Sequence, residues 1–155
     1  MHIRQYVYFG IASQTMTPGE IENHVGLVPD ETRTKGFIHH RNPSPARYHR
    51  WMIVCREPGL RVDKQLEHVL DRIEGIADRI AQVVDLVRTE GGASGAGFQV
   101  VRYFEDPNGE EEVIRRVGNL ESLTGQHQLL GWHLDKRLMD FLIRTGTELD
   151  ADEYG

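Results

Sequence analysis

The sequence DKQLEHVLDRIEGIADRIAQVVDLVR, residues 63–88, has the most regular pattern in the chain. Apolar residues recur in steps of three and four from Leu66 to Val87, which is typical of an amphipathic helix with one buried face. Gly75 lies inside this pattern and costs about 1 kcal/mol relative to alanine. The segment is therefore either one helix or two helices kinked at Gly75, and we expect Asp63 to cap it.

Strand patterns lie on both sides of this helical segment. In residues 3–12, apolar side chains alternate with polar and aromatic ones, so one face of a strand enters the core. The inward residues are Ile3, Val7, Phe9 and Ile11. Tyr6 and Tyr8 share the other face. The other predicted strands are residues 34–40, 48–55 and 98–104.

Local capping signals predict two further helices. The run Thr17–Glu20 indicates a helix start, because Thr17 can accept from free backbone amides and Glu20 can bond back to it. Asp135 is expected to cap the start of a last helix, which ends at Arg144. Residues 147–154 are expected to form a final short strand. The predicted inward residues of this C-terminal part are Leu138, Met139, Leu142, Leu149 and Tyr154.

The order of these elements predicts an α+β fold. The first four strands and two helices run β-α-β-β-α-β, which is the order of the ferredoxin-like split βαβ unit. We therefore expect a ferredoxin-like core with an added C-terminal helix and strand, in a single domain over residues 1–155. The sheet is expected to be antiparallel or mixed and covered by helices mainly on one face. Residues 113–128 are ambiguous, and a strand followed by a loop is one interpretation.

Composition limits the class of protein. The 155 residues are 39% hydrophobic and carry 18 basic against 24 acidic side chains, for a net charge of −6. This is an ordinary globular balance, and no apolar run is long enough for a transmembrane helix. The single cysteine, Cys55, excludes a disulfide framework and is expected to be inert core packing. A cytoplasmic location is the expectation.

Several short motifs together resemble a known family. They are Thr17-Pro18-Gly19-Glu20-Ile21 after the first strand, Pro29, Thr32, Lys35-Gly36, Trp51, Leu134-x-x-x-Leu138, and the closing GTELDADEY at residues 146–154. With the long helix, they resemble the bacterial domain-of-unknown-function family 4279. Residues 105–128 carry none of the resemblance. It implies a small bacterial intracellular domain with no assigned activity, so no catalytic residue is transferred.

Residues 32–56 form a basic window with six basic side chains and no acidic one, although the whole chain is acidic. Cations interleaved with aromatic residues can hold a phosphate or stack on a base. We take as candidate anion- or ligand-binding residues Arg41, Arg47, His49, Arg50 and Trp51. The alternative is that these cations face the acidic segments of the same chain or water. Net acidity disfavours nucleic acid as a partner.

Neither a metal site nor a cofactor site is predicted. Adjacent His39 and His40 would point to opposite faces of a strand, so only one could meet His49. Carboxylates alternate along the last strand at Glu148, Asp150 and Asp152. They could share a proton or bind a cation, but charge protection of an edge strand is the interpretation that we favour.

The sequence contains no complete catalytic constellation, and whether the protein is an enzyme stays open, with the balance against it. The first hypothesis is a non-enzymatic binding or protein-interaction module, whose acidic surface suits a partner protein with a basic face. The alternative is a sensor of a small molecule, an anion or a nucleotide, or a small enzyme that uses the basic hairpin at residues 32–50. The oligomeric state is left open.

Overall fold

The computed structural model describes residues 1–39, 43–112 and 129–155. Its elements are β1 (His2–Ser13), α1 (Pro18–Val25), β2 (Glu31–Arg33), β3 (His49–Cys55), α2 (Val62–Ile73), α3 (Ala77–Arg88), β4 (Gly95–Phe104), β5 (Glu110–Glu111), α4 (Lys136–Thr145) and β6 (Glu148–Tyr154). None of the helices formed by these residues combines the length and hydrophobicity needed to cross a membrane. The ambiguous segment 113–128 lies outside the described residues.

The apolar pattern of residues 63–88 forms two helices rather than one. A 3₁₀ turn, Glu74–Ile76, separates α2 from α3 and contains Gly75. The interruption therefore falls where glycine weakens the helix. Every member of the predicted stripe is buried except Ile76, which is half-buried. The predicted cap is wrong: Arg61 precedes the first turn of α2, and Asp63 lies inside that turn, 3.1 Å from the Arg61 Nε.

The strands form one mixed sheet in the order β2-β3-β1-β4-β6, and β5 pairs with the start of β1. β1 is antiparallel to both of its long neighbours, β3 and β4. β2 is antiparallel to β3, whereas β6 runs parallel to β4. The prediction of an α+β fold with a mixed sheet and covering helices is confirmed.

The core joins the inward side of the sheet to the helices. Val7, Phe9 and Ile11 of β1 are fully buried, as the alternating pattern predicts. Phe9 lies edge-to-face with Phe98 of β4 and with Phe141 of α4, at ring-centroid distances of 5.2 and 5.8 Å. This aromatic cluster fixes the C-terminal helix against the two central strands.

The capping predictions for the shorter helices are confirmed, and two inward assignments are wrong. Thr17 and Glu20 form a capping box at α1, and the Asp135 side chain accepts from the Leu138 amide at α4. On α4, however, the buried positions follow Leu138 to Phe141, and Met139 is 43% exposed. Tyr154 is also exposed, on the side of β6 opposite to Leu149, because strand residues five apart point to opposite faces.

The second predicted strand is displaced. β2 covers Glu31–Arg33 instead of residues 34–40, and a turn at Lys35 and Gly36 follows it. Gly36 adopts the left-handed conformation, with φ of 86°, which ends an extended segment. β3 agrees with the predicted strand 48–55 within one residue.

Candidate functional site

The described helices pack on the inward face of the sheet, and alternate strand residues point away from them. The buried residues of these helices belong to the same core cluster as Phe9, Ile53 and Val100. Their neighbours in sequence form the opposite face, which we call the outer face. Tyr8 of β1 and Gln99 of β4 are directly paired on it and are partly exposed.

A cleft of about 390 Å³ lies on the outer face. Its floor consists of paired small residues: Gly10 lies opposite Gly97, and Ala12 lies opposite Gly95. Two successive cross-strand pairs therefore have no side chain larger than a methyl group. Where neighbouring positions carry long side chains, such a floor leaves a trough in the sheet surface.

A close backbone contact requires the glycine at Gly97, whereas a Cβ atom at Gly95 would meet no other atom within 4 Å. A Cβ atom at Gly97 would lie 2.6 Å from the Glu148 carbonyl oxygen, because β6 approaches β4 closely there. A Cβ atom at Gly10 would lie 3.2 Å from the ring of Tyr8. The packing that brings β6 and Tyr8 to the cleft thus also keeps its floor empty.

Side chains of opposite charge line the two sides of the cleft. Arg50 of β3 lies on one side, and Glu148 and Asp150 of β6 lie on the other. In the described parts of the chain, none of these three takes part in an ion pair. The Gln99 Nε2, which is buried, also has no hydrogen-bond partner there. These three charges and this buried donor are therefore available to a ligand, whereas Arg88, which also lines the cleft, donates to the Gly146 carbonyl.

Glu90 fixes the turn that forms one end of the cleft. Its carboxylate accepts hydrogen bonds from Ser13 Oγ at 2.6 Å, Gln14 N at 2.6 Å, Thr15 Oγ1 at 2.7 Å and Ser94 Oγ at 2.9 Å. Partial burial by itself raises the pKa of the Glu90 carboxyl. The four hydrogen bonds outweigh this and lower that pKa from 4.5 to about 2. Glu90 therefore joins the end of β1 to the turn after α3.

Glu90→Gln is expected to lower the free energy of unfolding by about 1–3 kcal/mol at neutral pH, since an amide cannot accept four hydrogen bonds as a carboxylate does. Because folding depresses the pKa of Glu90, its contribution is present above 4.5 and is lost as pH falls towards 2. Denaturant unfolding of both proteins across this range should show the difference shrinking in acid. A constant difference down to the lower limit would contradict the assignment.

The far end of the outer face carries stacked arginine and tyrosine side chains. The Arg4 guanidinium lies 4.1 Å from the centre of the Tyr103 ring, which stacks on Tyr154 at 5.0 Å. The negative charge of Asp152 raises the pKa of the Tyr154 hydroxyl. Unlike Arg50, Arg4 has a carboxylate partner, with its Nε 2.7 Å from Asp106. At this end the arginine is therefore already paired, whereas Arg50 in the cleft has no ion-pair partner among the described residues.

The structure separates the residues that the sequence grouped as a site. Arg50 points into the cleft, whereas Trp51 is fully buried on the inward face, where its Nε1 donates to the Leu27 carbonyl. The His49 Nδ1 accepts from the Lys35 amide. Arg47 is exposed in the loop before β3. Arg41 lies outside the described residues.

The sequence reasoning did not identify Gln99 or the small-residue floor as parts of a site. Gly10 and Gly97 were the available signals, because glycine inside a strand often marks a close approach of another chain segment or of a ligand. The alternation of Glu148 and Asp150 was recognised, and both residues line the cleft. The predicted role in binding an anion or another ligand is untested for all five candidate residues, which are Arg41, Arg47, His49, Arg50 and Trp51.

Comparison with known proteins gives a family but no described activity. The family model described as "Domain of unknown function (DUF4279)" matches residues 3–155. No curated protein and no solved structure matches the chain. The match thus covers nearly the entire sequence, including residues 105–128, which carried no recognised motif.

Proposed function

The chain belongs to the DUF4279 family of domains of unknown function, and from this premise we propose that it is a non-enzymatic binding module for a small zwitterionic ligand. The ligand class is an amino acid or a short peptide. It would lie in the outer-face cleft, with its acidic group near Arg50 and its amino group near Glu148 and Asp150. The observation that carries this proposal is the set of opposite charges on the two sides of a trough floored by glycine and alanine, none of which has an ion-pair partner in residues 1–39, 43–112 and 129–155.

The spacing of the strands fits a ligand of this size. β3 and β6 are separated by β1 and β4 in the sheet, so three strand spacings of about 4.8 Å lie between them. Arg50 and Glu148 extend into the gap from the two sides. The Gln99 Nε2 adds a donor for a carboxylate or a peptide carbonyl. A cleft of about 390 Å³ is within the range of small-molecule sites.

The chemistry of the cleft supports binding rather than catalysis. Of the two hydroxyl-bearing residues that line the cleft, Tyr8 and Ser94, the serine hydroxyl already donates to Glu90. The depressed pKa of Glu90 makes this carboxylate a poor general base near neutral pH. The acidic row of β6 also repels a nucleic-acid backbone, which disfavours the use of this face for single strands. The net acidity of the chain also predicts a partner protein with a basic face, and this prediction is untested.

The test is a binding titration with amino acids and dipeptides, each compared with its N-acetylated and C-amidated forms. Arg50→Gln is expected to weaken binding of the free form at least about tenfold, and amidation of the ligand should have the same effect. Glu148→Gln combined with Asp150→Asn should match the effect of acetylation. Added salt should weaken binding, because the charges are partly exposed.

Arg33→Gln is the matched control. Arg33 pairs with Arg50 across β2 and β3 but does not line the cleft. If both substitutions weaken ligand binding equally, the effect reflects the net charge of the protein and not a contact with Arg50. Loss of binding in Arg47→Gln but not in Arg50→Gln would move the site to the basic hairpin, and inorganic phosphate binding as tightly as any zwitterion would favour the same alternative.

The proposal also includes the ferredoxin-like topology, the bacterial origin and the cytoplasmic location that the sequence analysis predicts. We propose that β1 to β4 with α1 and the α2–α3 pair derive from a ferredoxin-like unit, which the strand order β2-β3-β1-β4 and its antiparallel pairing support. A bacterial, cytoplasmic origin is proposed from the family resemblance.

A further inference from the structure

Three metal-ligating side chains of different types converge where β3 leaves the sheet. Cys55 is the last residue of β3, Glu57 follows two residues later, and His68 lies on α2. The Cys55 Sγ is 3.9 Å from the His68 Nδ1, and a Glu57 carboxylate oxygen is 3.6 Å from the same nitrogen. All three ligand atoms lie within 4.8 Å of one another. We call this group the Cys55 cluster.

A buried glutamine holds the two sides of the Cys55 cluster together. Gln65 is fully buried on α2, one helical turn before His68. Its Nε2 donates to the carbonyl of Glu57 at 3.2 Å and to the carbonyl of Gln5 at 3.3 Å. The loop with Glu57 is thus fixed to the helix with His68, and β1 is fixed to both. This packing fixes the backbone positions of the three residues without a metal.

We propose that Cys55, Glu57 and His68 bind a zinc ion through Sγ, a carboxylate oxygen and Nδ1. A thiolate, an imidazole and a carboxylate are ligands that zinc accepts, with bonds of about 2.0–2.3 Å. In a tetrahedral site such bonds separate the ligand atoms by about 3.5 Å. The 3.9 and 3.6 Å separations are close to this value. The fourth position is left for water or another ligand.

The same geometry disfavours a cysteine nucleophile with a histidine base. In such a relay, one ring nitrogen faces the nucleophile and the other faces the orienting carboxylate. Here both Cys55 and Glu57 lie against Nδ1 of His68. One nitrogen with two convergent neighbours is the arrangement of ligands around a shared ion. This inference does not depend on the proposed ligand of the outer-face cleft, which lies on the other side of the sheet.

Cobalt(II) titration of the reduced, metal-free full-length chain tests the zinc site. We expect one equivalent of Co²⁺ to give a thiolate-to-metal charge-transfer band in the near ultraviolet and the visible bands of a four-coordinate ion. An equivalent of Zn²⁺ should remove both. Cys55→Ser should abolish the charge-transfer band, and His68→Ala or Glu57→Gln should weaken binding at least about tenfold, as the loss of a direct ligand requires.

His133→Ala is the matched control. The His133 Nδ1 also lies near a carboxylate, 3.7 Å from an oxygen of Asp63, but among the described residues this pair is not part of a three-ligand group. It should leave Co²⁺ affinity unchanged. The side chains of His68 and Glu57 are 49% and 59% exposed, so their variants should fold even if Cys55→Ser does not. Binding without the thiolate band, binding unaffected by His68→Ala, or equal weakening by His133→Ala would each overturn the site.

Discussion

Deletion of residues 147–155 is expected to lower the melting temperature by at least about 10 °C or to prevent recovery of folded protein. β6 pairs with β4 from Glu148 to Tyr154, and Leu149 packs against the core. The Thr147 side chain, which is buried, is hydrogen-bonded to Thr145 at 2.8 Å. Loss of the ladder and of this burial removes about 5 kcal/mol or more, a large part of the stability of a domain of this size.

Thermal unfolding followed by circular dichroism measures this effect, and Asp152→Asn is the control. That substitution removes a charge from β6 and leaves its backbone pairing to Val101 in place, so the melting temperature should change by only a few degrees. A truncated chain as stable as the full one would mean that the acidic strand is dispensable for the fold. The carboxylates of β6 would then have a role in binding a partner and none in stabilising the fold.

The parts of the fold that were predicted correctly depend on local signals. The capping box at Thr17 and the cap at Asp135 join groups only three residues apart, so both partners lie in the same short stretch of sequence. The periodic apolar pattern from Leu66 to Val87 correctly predicts which side of α2 and α3 is buried against the sheet. Such features need no knowledge of the rest of the molecule.

The wrong assignments concern side chains whose orientation depends on packing between segments that are distant in sequence. Tyr154 points outward because its partner across the strands is Tyr103, a pairing that depends on the parallel register of β4 and β6. Met139 is exposed because Phe141 fills the space against Phe9 and Phe98. Neither contact is visible in the residues near it in sequence.

The candidate site was predicted in part for a related reason. The sequence analysis gave Arg50 as a candidate ligand-binding residue and noted the alternating carboxylates of β6, but the two lie on strands far apart in the chain. Only the sheet order brings Arg50 and Glu148 to opposite sides of one cleft. Cys55 is buried in the core, as the sequence predicts. Its neighbour His68 lies on α2, which the sequence assigned only to covering the sheet, so the sequence could not suggest the zinc site that we propose.

A buried arginine makes the second large contribution to stability that we expect. Arg102 of β4 is 3% exposed and points into the inward side of the sheet. Its guanidinium donates to Gln5 Oε1 at 3.2 Å, to a Glu153 carboxylate oxygen at 2.7 Å, and to the carbonyls of Leu129 and Leu130 at 2.7 and 3.1 Å. One side chain therefore joins β1, β6 and the segment before α4, and its planar fork suits this arrangement.

Arg102→Met is expected to lower the free energy of unfolding by about 2–4 kcal/mol, because the substitution leaves the buried acceptors of Gln5 and Leu129 without a donor. Arg102→Lys should recover only part of the loss, since an ammonium group cannot reach all four acceptors. The partner substitution Glu153→Gln should cost less than about 1 kcal/mol, because the Glu153 side chain is 51% exposed. Denaturant unfolding of the three variants measures these differences. If Arg102→Met were neutral, burial of a well-packed apolar side chain would compensate for the whole network, and the arginine would serve to orient Leu129 and β6 rather than to stabilise them.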